Sequence, residues 1–326
     1  MRKLHALDFV IMACALAGGV SAVLASRPQP QVPLVVHIAQ PAVSAAPVTN
    51  PSPRTAQSQP AAADGASLWT EELTSDEVAA AIQAGSTTIV IGTGGVEDNG
   101  PYVASGKHDY VLQTVLPYVA RALGHALIAP IVKFVPEGDI EPPSGHMQHA
   151  GTISLEEASF EALLTDICRS YKAHGFVDLV LIGDSGGNQL GMERVAATLN
   201  GKWASEKARV HYLREYYFED QWSYDYLKKL GVTQIDQTPP PGAGPDQRTD
   251  HRNGIHDDVY YESQVAVQDP ALIRMNQRIK SGQFSLHGVD LSPIEKTQEI
   301  GRKLAEYRAG ITARAFNQSQ ATLRGR

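Results

Sequence analysis

Four segments of this 326-residue chain carry most of the groups that could do chemistry. The first runs from Gly92 to Asp109 and holds Glu97, Asp98, Asn99, His108 and Asp109. Carboxylate oxygens and imidazole nitrogens are ligands for zinc or manganese, so this segment is a candidate metal cradle. A solvated acidic loop is the plainer reading of the same residues. Gly92-x-Gly94 also begins a dinucleotide fingerprint, but Glu97 stands where the third glycine belongs. Pro101 then interrupts the helix that would receive a pyrophosphate, which argues against a nucleotide.

The second segment, Gly183-Asp-Ser-Gly-Gly-Asn188, allows two chemistries. It fits G-x-S-x-G, the nucleophile turn of an α/β-hydrolase, with Ser185 as the attacking group and Asp257 or Asp258 plus His287 downstream. The same five residues surround the serine of trypsin-like proteases, but those are disulfide-linked double β-barrels and this chain alternates strand and helix. Alternatively, Asp184 ligates a metal and the glycines let the backbone come close. The third segment, Ser144 to Thr152, contributes His146 and His149, and the fourth, His256 to Glu262, supplies further donors.

The elements that must position these groups follow from pattern. Thr74-Ser-Asp-Glu77 is a capping box opening a helix that ends at Gly85. Thr87–Ile91 reads as a buried strand, 110–123 as a helix, and Ala126–Ala129 with Ile131-Val132 as a second strand. A strong amphipathic helix spans 155–173, followed by the apolar strand Val177–Ile182, a helix over 188–206 and a fourth strand from Val210 to Tyr217. Residues 236–256 are a long Pro/Gly-rich loop, and a final helix runs from about 292 to 316. Strands apolar on both sides and alternating with helices predict an α/β domain, with a mostly parallel sheet between two helical layers. In such sheets ligands gather beyond the carboxyl ends of the strands, where the first two segments lie.

Composition limits the remainder. Residues 1–25 combine a basic start, an apolar run and small residues, which describes an export signal or an N-terminal anchor. Cys14 lies too early for a lipoprotein cleavage box. Residues 26–66 hold 8 of the 20 prolines and almost no charge, so they are expected to be a disordered tether. The domain 67–326 carries 24 Lys and Arg against 33 Asp and Glu, which excludes a general nucleic-acid binder. Its single cysteine, Cys168, allows no internal disulfide.

Read in order, these segments resemble the creatininase (creatinine amidohydrolase) family over roughly 67–310. Gly94-Gly-Val-Glu97-Asp-Asn-Gly100-Pro101 resembles its G-S-x-E-Q-H-G-P, and Gly106-Lys-His-Asp109 its G-T-D. His146-x-x-His-Ala-Gly151-Thr152-Ile-Ser-Leu155 resembles H-x-x-F-P-G-T-x-S-L, and Gly183 to Asn188 resembles N-G-H-G-G-N. His256 to Ser263 loosely resembles H-A-G-E-x-E-T-S. The resemblance implies a three-layer α/β/α fold, one or two divalent cations (zinc or manganese), hydrolysis of C–N bonds in amides, and a homo-oligomer. It implies Glu97, His108, Asp109, Asp184 and Glu262 as metal ligands. His146 would orient substrate or donate a proton, and Glu262 would be the late catalytic carboxylate. Two family histidines are replaced, one by Asn99 and one by Ser185, which places the second metal in doubt.

Three functions are therefore expected to compete. One is an exported amidohydrolase using metal-activated water on a small amide, tethered to the inner membrane if residues 1–25 remain attached. A second is a serine hydrolase using Ser185. The third is a catalytically degenerate family member with a binding role in the cell envelope.

Overall fold

The computed structural model describes residues 67–233 and 258–325. The expected export signal, the tether, the long loop 236–256 and the donors His256 and Asp257 lie outside the described residues.

Helix α1 (Ser75–Gln83) starts at the capping box. The Thr74 hydroxyl accepts from the Glu77 N–H, and the Glu77 carboxylate accepts from the Thr74 N–H. The main sheet is formed by β1 (Thr88–Thr93), β2 (Ala126–Ile128), β3 (Asp178–Gly183) and β4 (Arg209–Tyr212), in the order β2-β1-β3-β4 with every pair parallel. Thr88 pairs with Asp178 and Thr93 with Gly183, so β1 and β3 end side by side. The chain leaves β1 through α2 (Lys107–Leu123) toward β2, and leaves β3 through α4 (Asn188–Lys202) toward β4 on the other side. The carboxyl ends of β1 and β3 thus flank the switch point of the topology, where open parallel sheets bind ligands.

Alternation along the strands divides the core into two layers. Val90, Ile128, Val180 and Ile182 pack with α2, α7 (Val259–Gln268) and α9 (Ile294–Arg324). Ile89, Ile91, Leu179, Leu181 and Val210 pack with α3 (Glu157–Ala173) and α4. Strands buried on both faces explain the unbroken apolar runs in the sequence. The three-layer α/β/α arrangement is the expected one. Smaller elements complete it: α5 (Glu215–Phe218), α6 (Gln221–Lys229), α8 (Met275–Ser281) and the hairpin β5–β6 (Ser285–Leu286 and Val289–Asp290). Among the described residues no helix is long and apolar enough to cross a membrane.

Helix α4 ends at Lys202, short of the expected 206, and β2 lacks Ala129, Ile131 and Val132; three further boundaries differ for a tertiary reason. Helix α2 begins three residues early, which moves Lys107, His108 and Asp109 out of the loop and onto a buried first turn. Strand β4 stops at Tyr212 and the chain turns into α5, because the Tyr216 hydroxyl is drawn inward to donate to Asp184 at 3.2 Å. Helix α9 continues eight residues past Phe316. Its last turns hold the start of the sheet, with Gln320 donating to Asp178, Arg324 pairing with Asp178, and Ser319 bonded to His211.

Candidate metal centre

The segment after β1 turns back over the sheet end, and Glu97 sits 1 % exposed at its deepest point. Its two oxygens serve different neighbours. Oε1 accepts from Lys107 Nζ at 3.2 Å and from His108 Nε2 at 2.8 Å. Oε2 lies 3.3 Å from His146 Nε2, on the opposite side. His146 is the second residue of a 3₁₀ turn, Gly145–Gln148, and its N–H donates to the Glu137 carbonyl. That backbone bond joins His146 to Glu137, a residue the sequence had not singled out.

Glu137 completes the group. Among the described residues, donor atoms of Glu97, Glu137 and His146 all lie within 4.8 Å of one another, close enough to converge on one ion. Two glycines make room for Glu137. A Cβ on Gly95, which has φ +154°, would stand 2.1 Å from Glu137 Oε1. A Cβ on Gly187 would stand 2.2 Å from the Pro136 carbonyl, so glycine there lets the two loops touch. The Ser154 hydroxyl accepts the Glu137 N–H, and Ser185 Oγ donates to Glu137 Oε2 at 3.3 Å. Glu137 Oε1 is buried and has no hydrogen-bond partner. Burial first, and then the nearby Glu97 carboxylate, push the Glu137 carboxyl well above the ordinary range. Two buried carboxylates facing each other require a proton or a cation between them, and a hard oxygen and nitrogen donor set suits a divalent ion.

The other residues expected to bind metal have protein partners in this structure. His108 bridges two carboxylates, with Nε2 on Glu97 and Nδ1 on Asp184 Oδ2 at 2.7 Å. Burial and the Lys107 ammonium depress its pKa, but Glu97 and Asp184 outweigh them and leave it above 6.5. Both ring nitrogens thus already face carboxylate oxygens. Asp184 is engaged by His108 and Tyr216. Asp109 Oδ1 accepts from the Gly95 N–H at 3.3 Å. Glu262 pairs with Arg278 at 2.6 Å, both fully buried, and lies outside the converging group. Asn99 donates its amide hydrogens to the carbonyls of Glu97, Ala104 and Ser105, bracing the loop. Of the residues expected to act at the site, Glu97 and His146 thus share one group with Glu137.

Among the described residues the serine-nucleophile geometry is not assembled. Ser185 is absent from the positive-φ positions, so the strained turn of a nucleophile elbow is missing, and its hydroxyl is given to Glu137. Among the described residues no histidine hydrogen-bonds to Ser185. Asp258 caps α7 and His287 lies in the β5–β6 turn.

Asp109 provides a test of these electrostatics. Burial pushes its carboxyl up to about 6 from the ordinary 3.8, against the pull of the Gly95 N–H, Lys133 and His108. The folded state therefore holds its proton more tightly than the unfolded chain. That contribution is fully present below pH 3.8 and is lost as pH rises through about 6. At ~1.4 kcal/mol per pKa unit, the ionised side chain costs the metal-free fold up to about 3 kcal/mol at neutral pH. Asp109→Asn is expected to raise metal-free stability by up to that amount at pH 8, with the gain vanishing near pH 4. Urea unfolding at several pH values checks it, and a pH-independent difference would refute it.

Comparison with known proteins agrees with the fold. The family model described as creatinine amidohydrolase matches residues 71–315. A crystal structure of creatinine amidohydrolase (creatininase) superposes with a TM-score of 0.50 at 19 % identity, covering 78 % of this chain and 97 % of that one. A mutant creatininase complexed with creatine gives 0.52 at 18 %, covering 79 % and 98 %. A mutant creatininase of Zn-Zn type gives 0.51 at 18 %, covering 79 % and 98 %. Among curated proteins none matches the sequence.

Proposed function

Because this chain belongs to the creatininase family, we propose that it is a metal-dependent amidohydrolase whose divalent ion, zinc or manganese, is held by Glu97, Glu137 and His146. The convergence of these three side chains at the switch point of the sheet carries the reading. An ion bound there supplies Lewis acidity toward an amide carbonyl and a nucleophile at neutral pH. The chain's own residues prepare the place. Glu97 Oε2 and Glu137 bring negative charge, and the backbone N–H of His146, bonded to the backbone carbonyl of Glu137, keeps the two segments side by side. Ser185 orients Glu137 from beneath. His108 and Tyr216 hold Asp184 behind Glu97, so that the inner carboxylates do not swing toward the ion.

The substrate class is a small cyclic or linear amide, a reading supported by family membership. The basic start and apolar run of residues 1–25, followed by the proline-rich 26–66, support export or anchoring of this activity outside the cytoplasm.

Purified full-length protein, analysed for metal by mass spectrometry and assayed on a panel of cyclic and linear amides, tests the proposal. Stoichiometric zinc or manganese is expected. Turnover should stop with chelator, return with metal, and be untouched by a fluorophosphonate. Protein without metal, or turnover blocked by the fluorophosphonate and indifferent to chelator, would refute it. Bound metal without turnover on any amide would favour the degenerate binding role.

A further inference from the structure

The Lys107 ammonium is the unusual group in this site. Lysine is almost never fully buried unless paired, yet Lys107 is 0 % exposed, on the first turn of α2. Its Nζ sits 3.2 Å from Glu97 Oε1 and 4.1 Å from the centre of the Tyr261 ring, whose face attracts a cation. His108 Nε2 reaches the same Glu97 oxygen. One oxygen of Glu97 is thereby committed to two groups of the protein, while the other faces His146. Nearby donors have protein partners too: Asp184 meets His108 and Tyr216, Asp109 Oδ1 accepts from the Gly95 N–H, Glu262 pairs with Arg278, and the Asn99 amide donates to three carbonyls.

Resting on the metal reading above, we propose that Lys107 is a resident cation that limits this centre to a single divalent ion. Its ammonium neutralises the inner oxygen of Glu97, where a second ion would otherwise bridge, and leaves the outer oxygen to the ion shared with Glu137 and His146. The Tyr261 face and the α2 backbone hold it there, so the charge cannot withdraw to solvent. Lys107 is on this view a positioning residue that sets metal number and does not touch substrate.

Native mass spectrometry of the full chain titrated with zinc, and separately with manganese, tests this through stoichiometry alone. The parent protein is expected to saturate at one ion per chain. Lys107→Ala is expected to saturate at two, because it removes the blocking charge from the Glu97 oxygen. Lys107→Met preserves the volume against Tyr261 and, with the charge gone, is expected to bind the second ion as well, which keeps the test available should the alanine variant fail to fold. A parent that binds two ions would overturn the inference while leaving the amidohydrolase reading intact. Folded Lys107 variants that still bind one ion would overturn it too. A parent that binds none would remove both.

Discussion

Glu137→Gln is expected to abolish stoichiometric metal binding and, with it, amide turnover. Substitution of groups that merely support metal ligands already weakens binding by ~10–100-fold. Loss of a direct ligand should therefore cost at least about 100-fold in dissociation constant, or about 2.7 kcal/mol. The variant should fold normally. Burial and Glu97 already favour the protonated, neutral form of Glu137, and glutamine has nearly the same shape and the same lack of charge. The metal-free variant is thus expected to melt no lower than the metal-free parent, while the stabilisation the parent gains on adding metal disappears. Calorimetric titration with zinc and thermal unfolding with and without metal check both halves. Unchanged affinity would exclude Glu137 from the ion's coordination.

The second large effect separates two roles that sequence left joined. Glu262 is the late carboxylate implied as a ligand, but its Oε1 lies 2.6 Å from Arg278 in a buried pair. Removing one partner of a buried ion pair leaves the other charge in a poor medium and typically costs ~3–5 kcal/mol. Glu262→Ala is accordingly expected to lower the urea midpoint by that amount, while the folded fraction keeps its parental metal stoichiometry. Loss of metal with little loss of stability would restore Glu262 to the metal centre and remove it from the scaffold. The pair lies where α7 and α8 meet, so it holds together the helical layer against which Tyr261, and through it Lys107, rests.

Glu97, Glu137 and His146 contribute to this centre from three loops, and their legibility in the sequence differed for physical reasons. Glu97 was legible because it stands in a glycine-rich segment directly after an apolar strand, a context that places it at a sheet end. His146 was legible as one of two histidines beside a helix start. Glu137 gave little signal: Pro136-Glu-Gly138 reads as an ordinary turn, and nothing local marks its side chain as buried. The available clue lay in Gly95 and Gly187, whose missing side chains leave the space that Glu137 and Pro136 fill. Conversely, Lys107, His108 and Asp109 read as part of a loop, with His108 and Asp109 as candidate ligands, because nothing local marks the buried first turn of α2 on which they lie.

The alternation of strand and helix, the parallel sheet and the position of two glycine-rich loops at its carboxyl edge were determined by the sequence itself. Apolar periodicity, capping and turn chemistry act over a few residues and need no knowledge of distant chain. Which carboxylate pairs with which cation was decided only by the tertiary structure. Opposite charges select partners by proximity and by the loss of water around them, and both depend on how the segments holding Glu97, Glu137, Asp184 and Glu262 are brought together. Once those carboxylates are dry, each must find a cation or a proton. Lys107, His108 and Arg278 stand against Glu97, Asp184 and Glu262, while Glu137 and the second oxygen of Glu97 converge with His146.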